Sequence, residues 1–150
     1  MKSIFENESY QEILDRLEKL TPESVAQWGK MNVSQMIVHC QKPLELALGK
    51  IQLKKPNFLM GFMLKQMSSS LYNDKPWKQG LPTAKEFVIV DVKDFLSEKE
   101  KLVSLIKQMH ERKDSSETFP VHPYFGKFTH EQWGKASYKH LDHHLTQFGV

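Results

Sequence analysis

The sequence has a single cysteine, Cys40, in 150 residues, which excludes an intramolecular disulfide and fits a reducing compartment. It also lacks a long apolar run. The longest such stretch, residues 58–64, is far shorter than the ~20 residues that cross a bilayer. Residues 1–8 contain no apolar segment of the kind found in signal peptides. From these absences we expect a cytoplasmic protein without a membrane partner.

Basic residues are not gathered into runs. The 21 lysines and arginines are spread among 18 acidic residues, the net charge is +3, and the longest basic run is Lys54-Lys55. Nucleic-acid binding is therefore not indicated. Hydrophobic residues at 39% and charged residues at 26% are ordinary for a globular protein. This length predicts one domain, over residues 1–150.

Apolar residues recur at helical spacing in four long segments, which lie at about residues 8–20, 32–48, 94–112 and 129–147. Asn32 with Gln35, and Thr129 with Gln132, have the spacing of a capping box at a helix start. No pair of strands is indicated. The pattern predicts an all-α fold, a four-helix bundle.

The connection between the second and third long helices is the least regular part of the chain. Residues 58–72 predict an extra short helix followed by a loop, and residues 86–90 predict an isolated extended stretch. The Met-rich residues 58–67 are expected to fill the core, with a cover over a nearby site as the alternative.

Histidine is the unusual feature of the composition, with seven residues. His140 and His144 are spaced i, i+4, so in a helix both imidazoles leave one face and can reach the same metal ion. Chance alone gives about 0.3 such pairs in a chain of this composition, and ordinary helix positions are the alternative. His39, on the apolar stripe of the second helix, is the candidate third ligand. We expect His110 and His130 to be solvated.

Four further residues are candidates to line a pocket beside this site: Gln35, Ser137, His122 and His143. Gln35 could orient a substrate but also fits the capping box. Ser137 is one turn before His140 and could instead be a small packing residue. His122 could close the pocket mouth or only fix its own loop. His143 is about 100° around the helix from His144, so we expect it to miss the metal, with a role as a ligand as the alternative.

Two stretches of the chain resemble the DinB/YfiT-like superfamily of metalloenzymes, in its branch of ~150-residue proteins. The first is WGKMNVSQMIVHC at 28–40. The second runs from HPYFGK at 122–127 through Trp133-Gly134 to YKHLDHHLTQFGV at 138–150. The resemblance implies an up-down-down-up four-helix bundle. It also implies one divalent ion, zinc or nickel, held by three histidines, which here are His39, His140 and His144.

The same resemblance suggests a function class. Members of the superfamily include transferases and isomerases that use low-molecular-weight thiols, and they often dimerise, so a homodimer is one expected assembly. Three neutral imidazoles leave an open position on the metal, as in catalytic zinc sites. We therefore expect a metal-dependent enzyme with a small-molecule substrate, a thiol-dependent transferase or a hydrolase that uses metal-activated water. The alternative is a non-catalytic, metal-stabilised binding or stress-response module.

Overall fold

The computed structural model describes residues 1–91 and 93–150. Five α-helices are present in these residues: α1 (Asn7–Glu18), α2 (Val33–Ala47), α3 (Phe58–Gln66), α4 (Phe95–Glu111) and α5 (His130–Gln147). Short 3₁₀ turns lie at Ser68–Leu71, Lys85–Phe87 and Arg112–Asp114. No strand occurs in the described residues. The prediction of an all-α fold is confirmed.

Side-chain caps fix where the two helices that carry the candidate ligands begin. The Asn32 side chain accepts from the Gln35 backbone N–H, and the Gln35 side chain accepts from the Asn32 N–H. Thr129 and Gln132 form the same reciprocal pair before α5. Both predicted capping boxes are confirmed, so the register of α2 and α5 is set by local sequence.

The four longer helices share one core. α2 packs against α4 and α5, and α1 packs against α5 and α4. The fully buried side chains come from all four helices and from the segment before α1; the largest are Ile4, Ile13, Leu17, Met36, Ile37, Leu44, Leu102, Ile106, Met109 and Leu141. The contact between α2 and α5 brings the helix that carries His39 against the helix that carries His140 and His144.

The guanidinium group of Arg16 ties α1 to the end of α5. It donates to the carboxylate of Asp142 at 2.6 Å, to the hydroxyl of Thr146 at 2.9 Å and to the backbone carbonyl of Val150 at 2.9 Å. Charge-assisted contacts of this kind are stronger than neutral ones. These contacts hold α5, which carries His140 and His144, against α1.

The insert between α2 and α4 is attached to α5 by hydrogen bonds at its middle. The buried ammonium of Lys139 on α5 donates to the carbonyls of Ser70 and Asn73, at 2.8 and 2.7 Å, and to the Asn73 side chain at 2.9 Å. The segment predicted as one helix over 58–72 is split, since α3 ends at Gln66 and a 3₁₀ turn follows.

The expectation that residues 58–67 fill the core is wrong. No residue of α3 is buried. The predicted extended stretch 86–90 begins within the 3₁₀ turn Lys85–Phe87 instead. Among the described residues, no helix combines the length and apolar character that crossing a bilayer requires.

Gly134 in α5 allows the segment before α1 to pack directly on the helix. The Ile4 N–H donates to the Gly134 carbonyl at 3.1 Å, and a Cβ at this position would overlap the Phe5 ring and the Ser3 hydroxyl. We expect Gly134→Ala to lower the free energy of unfolding by about 1–3 kcal/mol, as overpacking does, although alanine is the better helix former. Urea denaturation measures the change.

Gly61→Ala is the matched control, because Gly61 is also helical but its nearest neighbour, the Pro56 ring, would lie at an ordinary 3.5 Å. This variant should unfold at the same urea concentration as the wild type or slightly above it. Equal destabilisation by the two substitutions would contradict the packing argument.

Candidate metal centre

Three histidines from two helices meet in the core. His39 lies on α2, and His140 and His144 lie one turn apart on α5. One candidate ligand nitrogen from each lies within 4.8 Å of the others, and the Nε2 atoms of His39 and His140 are 3.1 Å apart. Two nitrogens bound to one tetrahedral zinc ion at about 2.0–2.1 Å lie roughly 3.4 Å apart. The three histidines named from the sequence could therefore bind one metal ion.

The orientation of His39 is fixed by a backbone carbonyl. Its Nδ1 atom lies 2.9 Å from the carbonyl oxygen of Phe87. Because a carbonyl oxygen only accepts, Nδ1 carries the proton and donates, and Nε2 keeps a free lone pair in the neutral ring. The turn Lys85–Phe87 places this carbonyl by burying the Phe87 side chain against Leu46 and Leu53. His39 is thus held as the tautomer that a metal ion requires at Nε2.

The orientation of His144 is fixed by a relay through Gln147. His144 Nδ1 lies 2.8 Å from Gln147 Oε1, and Gln147 Nε2 donates to the Trp28 carbonyl at 2.7 Å. Since that carbonyl can only accept, the amide nitrogen must face Trp28 and the amide oxygen must face His144. His144 therefore donates from Nδ1, and its Nε2 lone pair is available for a metal.

Gly29 makes room for this relay. Its backbone has φ +88°, and a Cβ there would lie 2.5 Å from the amide nitrogen of Gln147. The turn after Trp28 can therefore approach the end of α5 closely only because residue 29 has no side chain.

Burial keeps the three imidazoles neutral. It lowers the pKa of His39, and it lowers the pKa of His144 to about 3. The pKa of His140 is well below 6.5 because of burial first, and then because of the neighbouring His144 and His39. Neutral imidazole is the form that binds metal ions. At neutral pH the cluster is thus already in its ligating state.

The donor set fits a divalent transition metal. The ring centroids of the three histidines are 4.7–5.0 Å apart, so all three rings converge on one region. A hydrogen bond from His140 Nε2 to His39 Nε2 could satisfy one pair, whereas a cation satisfies three lone pairs at once. Nitrogen ligands of this kind suit Zn²⁺ or Ni²⁺, while Mg²⁺ and Ca²⁺ prefer oxygen.

A cavity of about 400 Å³ lies beside the cluster, and Trp28, Trp77 and His143 are among its lining residues. The His143 ring lies 5.2 Å from that of His144, and the Trp77 ring lies 5.9 Å from that of His140. Trp77 and His143 therefore form a wall between the cavity and the three histidines. The volume of the cavity is within the range of about 300–1,000 Å³ that is typical of small-molecule sites.

Of the four residues predicted to line a pocket, only His143 lines this cavity. The side chain of Gln35 is engaged in the capping box, where its Oε1 accepts from the Asn32 N–H at 3.1 Å. Ser137 is buried on α5, one turn before His140. The cluster itself contains none of these side chains.

His122 holds its own loop together. Its backbone N–H and carbonyl pair with those of Gly126, both at 3.0 Å, and its Nδ1 accepts from the N–H groups of Tyr124 and Phe125 at 3.2 and 3.3 Å. Its ring stacks on Trp133. Of the two roles predicted for His122, these contacts are those of a residue that fixes the loop.

The two histidines that we expected to be solvated are instead half-buried. His110 Nδ1 lies 2.7 Å from the carbonyl oxygen of Ile4, and its ring stacks on Tyr10. His130 Nε2 lies 2.7 Å from the carbonyl oxygen of Arg112. The expectation was wrong because both side chains are satisfied by backbone carbonyls, which a sequence pattern does not show.

Four residues around the site were not identified from the sequence: Phe87, Trp28, Trp77 and Gln147. Gln147 alone had a signal, since it lies three residues after His144 on the same helix, where side chains can meet. Phe87 and Trp28 act through backbone carbonyls. Trp77 lies in the insert, and only the folding of that insert brings it beside His140.

We expect Gly29→Ala to weaken metal binding roughly 10–100-fold, because the added Cβ displaces the amide that holds His144. Zn²⁺ affinity measured by competition with a chromophoric chelator tests this. Gly49→Ala is the control: Gly49 has a similar φ of +71°, but no atom lies within 4 Å of its Cβ position. A comparable loss of affinity in both variants would assign the effect to backbone strain and contradict the relay.

His122 should make the protein sensitive to acid. Burial lowers its pKa from 6.5 to about 4. Between these values the unfolded chain binds more protons than the folded chain, so stability is present above pH 6.5 and is lost as the pH falls toward 4. The Asn side chain can accept the same N–H bonds without titrating.

His122→Asn should therefore lose roughly 2 kcal/mol less than the wild type between pH 7 and pH 4.5. Urea denaturation of metal-free protein at the two pH values provides the comparison. If the loss is identical in both proteins, His122 is not one of the acid-sensitive groups.

Comparison with known proteins identifies a family. The model of a family described as a protein of unknown function, DUF1569, matches residues 3–149. Neither the curated proteins nor the solved structures include a match. The family match covers nearly the whole chain, including all three clustered histidines. The chain belongs to the DUF1569 family.

Proposed function

We propose that this protein is a metal-dependent enzyme in which His39, His140 and His144 hold one divalent ion, zinc or nickel. The observation that carries the proposal is the pair of fixed tautomers. His39 and His144 both donate from Nδ1 to oxygen acceptors, so both Nε2 lone pairs are free for coordination. Such outer hydrogen bonds are typical of metal-binding histidines.

We also propose that the fold is an up-down-down-up four-helix bundle of the DinB/YfiT-like type. α1, α2, α4 and α5 would form the bundle, and α3 belongs to the insert. In support, each of these four helices packs against two of the others in a closed ring. A cytoplasmic location and a homodimer remain predictions from the sequence.

The metal would supply a Lewis acid that lowers the pKa of bound water or of a bound low-molecular-weight thiol. The protein residues have separate tasks. Burial of His39 and His144 limits access of bulk water to the cluster. Trp28, Trp77 and His143 would bind a small-molecule substrate in the adjoining cavity, against aromatic faces. The proposed reaction class is thiol-dependent transfer or hydrolysis.

A non-catalytic, metal-stabilised module is the second candidate, and one observation favours it. The 400 Å³ cavity is lined by Trp77 and His143 and not by the three clustered histidines, so Trp77 stands between the cavity and the cluster. In this case the metal would only join α2 to α5. Turnover of thiol and electrophile by metal-loaded protein favours the enzyme; raised thermal stability without turnover favours the module.

Metal content tests the site itself. We expect the wild type, loaded with Zn²⁺ or Ni²⁺ and desalted, to retain about one equivalent by mass spectrometry. His39→Ala, His140→Ala and His144→Ala should each retain less than about a tenth of that amount, because two imidazoles do not hold the ion.

His143→Ala is the matched control, since it removes a neighbouring histidine from the same helix that is not one of the three clustered ligands. It should retain the full equivalent. Circular dichroism confirms that each variant is folded. If all three ligand variants keep one equivalent of metal, the assignment of the site is wrong.

A further inference from the structure

The helix α3 has an apolar surface that the described part of the chain leaves uncovered. None of its nine residues is buried. Six large apolar side chains, on this helix and directly after it, are 48–92% exposed: Phe58, Leu59, Met60, Phe62, Met63 and Met67. Contiguous apolar surface of this kind marks a site of interaction with a protein or a membrane.

The apolar residues of α3 lie on all sides of the helix. Phe58, Leu59 and Met60 follow one another at about 100° steps, so together they span the circumference. A partner protein needs one apolar stripe on a helix that it binds. A helix that is apolar all round suits surroundings that enclose it with apolar groups, such as the acyl chains of a bilayer.

The charge around α3 has one sign. Residues 50–85 carry seven lysines against one acidic residue, Asp74, for a net charge of +6; the whole chain carries +3, so the remaining residues together carry −3. Lys54 and Lys55 precede the helix, Lys65 lies in its last turn, and all three are exposed. Clustered lysines beside an amphipathic or apolar helix are attracted to anionic lipids.

A recess next to α3 combines both properties. Its volume is about 530 Å³, and it is lined by Lys54, Lys55 and Lys85 together with the apolar side chains of Met60 and Leu64. Glu86 is the acidic residue among its lining residues. Ammonium groups above an apolar wall match a phospholipid, whose phosphate lies next to its acyl chains.

We propose that α3, with the lysines on either side of it, docks this protein on the surface of an anionic phospholipid bilayer. A second copy of the chain fits the surface less well, because a symmetric contact would bring two segments of charge +6 together. The proposal departs from our expectation of no membrane partner, which rested on the short apolar run. It is independent of the metal site.

Vesicle flotation with the full chain tests the proposal. The lipids are phosphatidylcholine alone and phosphatidylcholine in which about a third is replaced by phosphatidylserine. We expect binding to the anionic vesicles only, and weaker binding as salt is added. Failure of the wild type to bind anionic vesicles at low ionic strength would overturn the proposal.

Two triple variants separate local charge from net charge. Lys54→Gln, Lys55→Gln and Lys65→Gln together should lower the partition coefficient on the order of 10–100-fold. The control makes the same change in net charge at exposed lysines of other segments: Lys19, Lys30 and Lys107. The control should bind like the wild type, and an equal loss in both variants would overturn the assignment to α3.

A double variant tests how much the apolar side chains of α3 contribute to vesicle binding. Phe58→Ser with Phe62→Ser should reduce binding at least about tenfold, since two exposed aromatic side chains no longer enter the lipid. Sedimentation of the wild type and this variant reports on protein partners. The membrane proposal is wrong if neither protein binds vesicles and the wild type is a dimer while the variant is a monomer. That result would identify a second copy of the chain as the partner of α3.

Discussion

An imidazole buried between two helices must satisfy both ring nitrogens, because a buried polar atom without a partner costs about 1–3 kcal/mol. Here three imidazoles share one region. The outer nitrogens of His39 and His144 donate to oxygen acceptors, which turns the remaining lone pairs toward one another. Neighbouring lone pairs repel unless a proton or a cation lies between them. The turn that ends at Phe87 and the turn that begins at Trp28 supply the carbonyl oxygens that fix these outer nitrogens, directly for His39 and through Gln147 for His144.

Helix register decides whether these rings meet at all. A shift of one residue rotates a helical side chain by about 100°, which would carry His39 or the pair on α5 out of the cluster. Both helices begin at reciprocal caps, Asn32 with Gln35 and Thr129 with Gln132. Gln35, considered from the sequence as a pocket residue, thus affects the site by fixing the start of α2. His39 follows Asn32 by seven residues and Gln35 by four, and it lies among the buried residues Ile37–Cys40.

The sequence predicted those features that repeat with the helical period. The long helices, their caps and the inward positions of His39, His140 and His144 follow from spacing, and the structure shows them. Backbone acceptors such as the Phe87 carbonyl could not be predicted, because no side-chain type signals them. Residues 58–67 were misjudged for a related reason: in a helix that is apolar on every side, periodicity does not distinguish an inner face, and composition alone suggested the core.

The insert between α2 and α4 connects the two sites to which we assign functions, the histidine cluster and α3. Lys139, whose pKa is lowered by burial, holds the carbonyls of Ser70 and Asn73, and the chain continues from there to Trp77 beside His140. In the other direction the same anchor leads back to α3. Trp77 Nε1 donates to the same Ser70 carbonyl at 2.8 Å, so the hydrogen bonds of Lys139 and Trp77 together hold this part of the insert beside the histidines. No residue of α3 is buried, so α3 stays outside the core while Trp77 packs against His140.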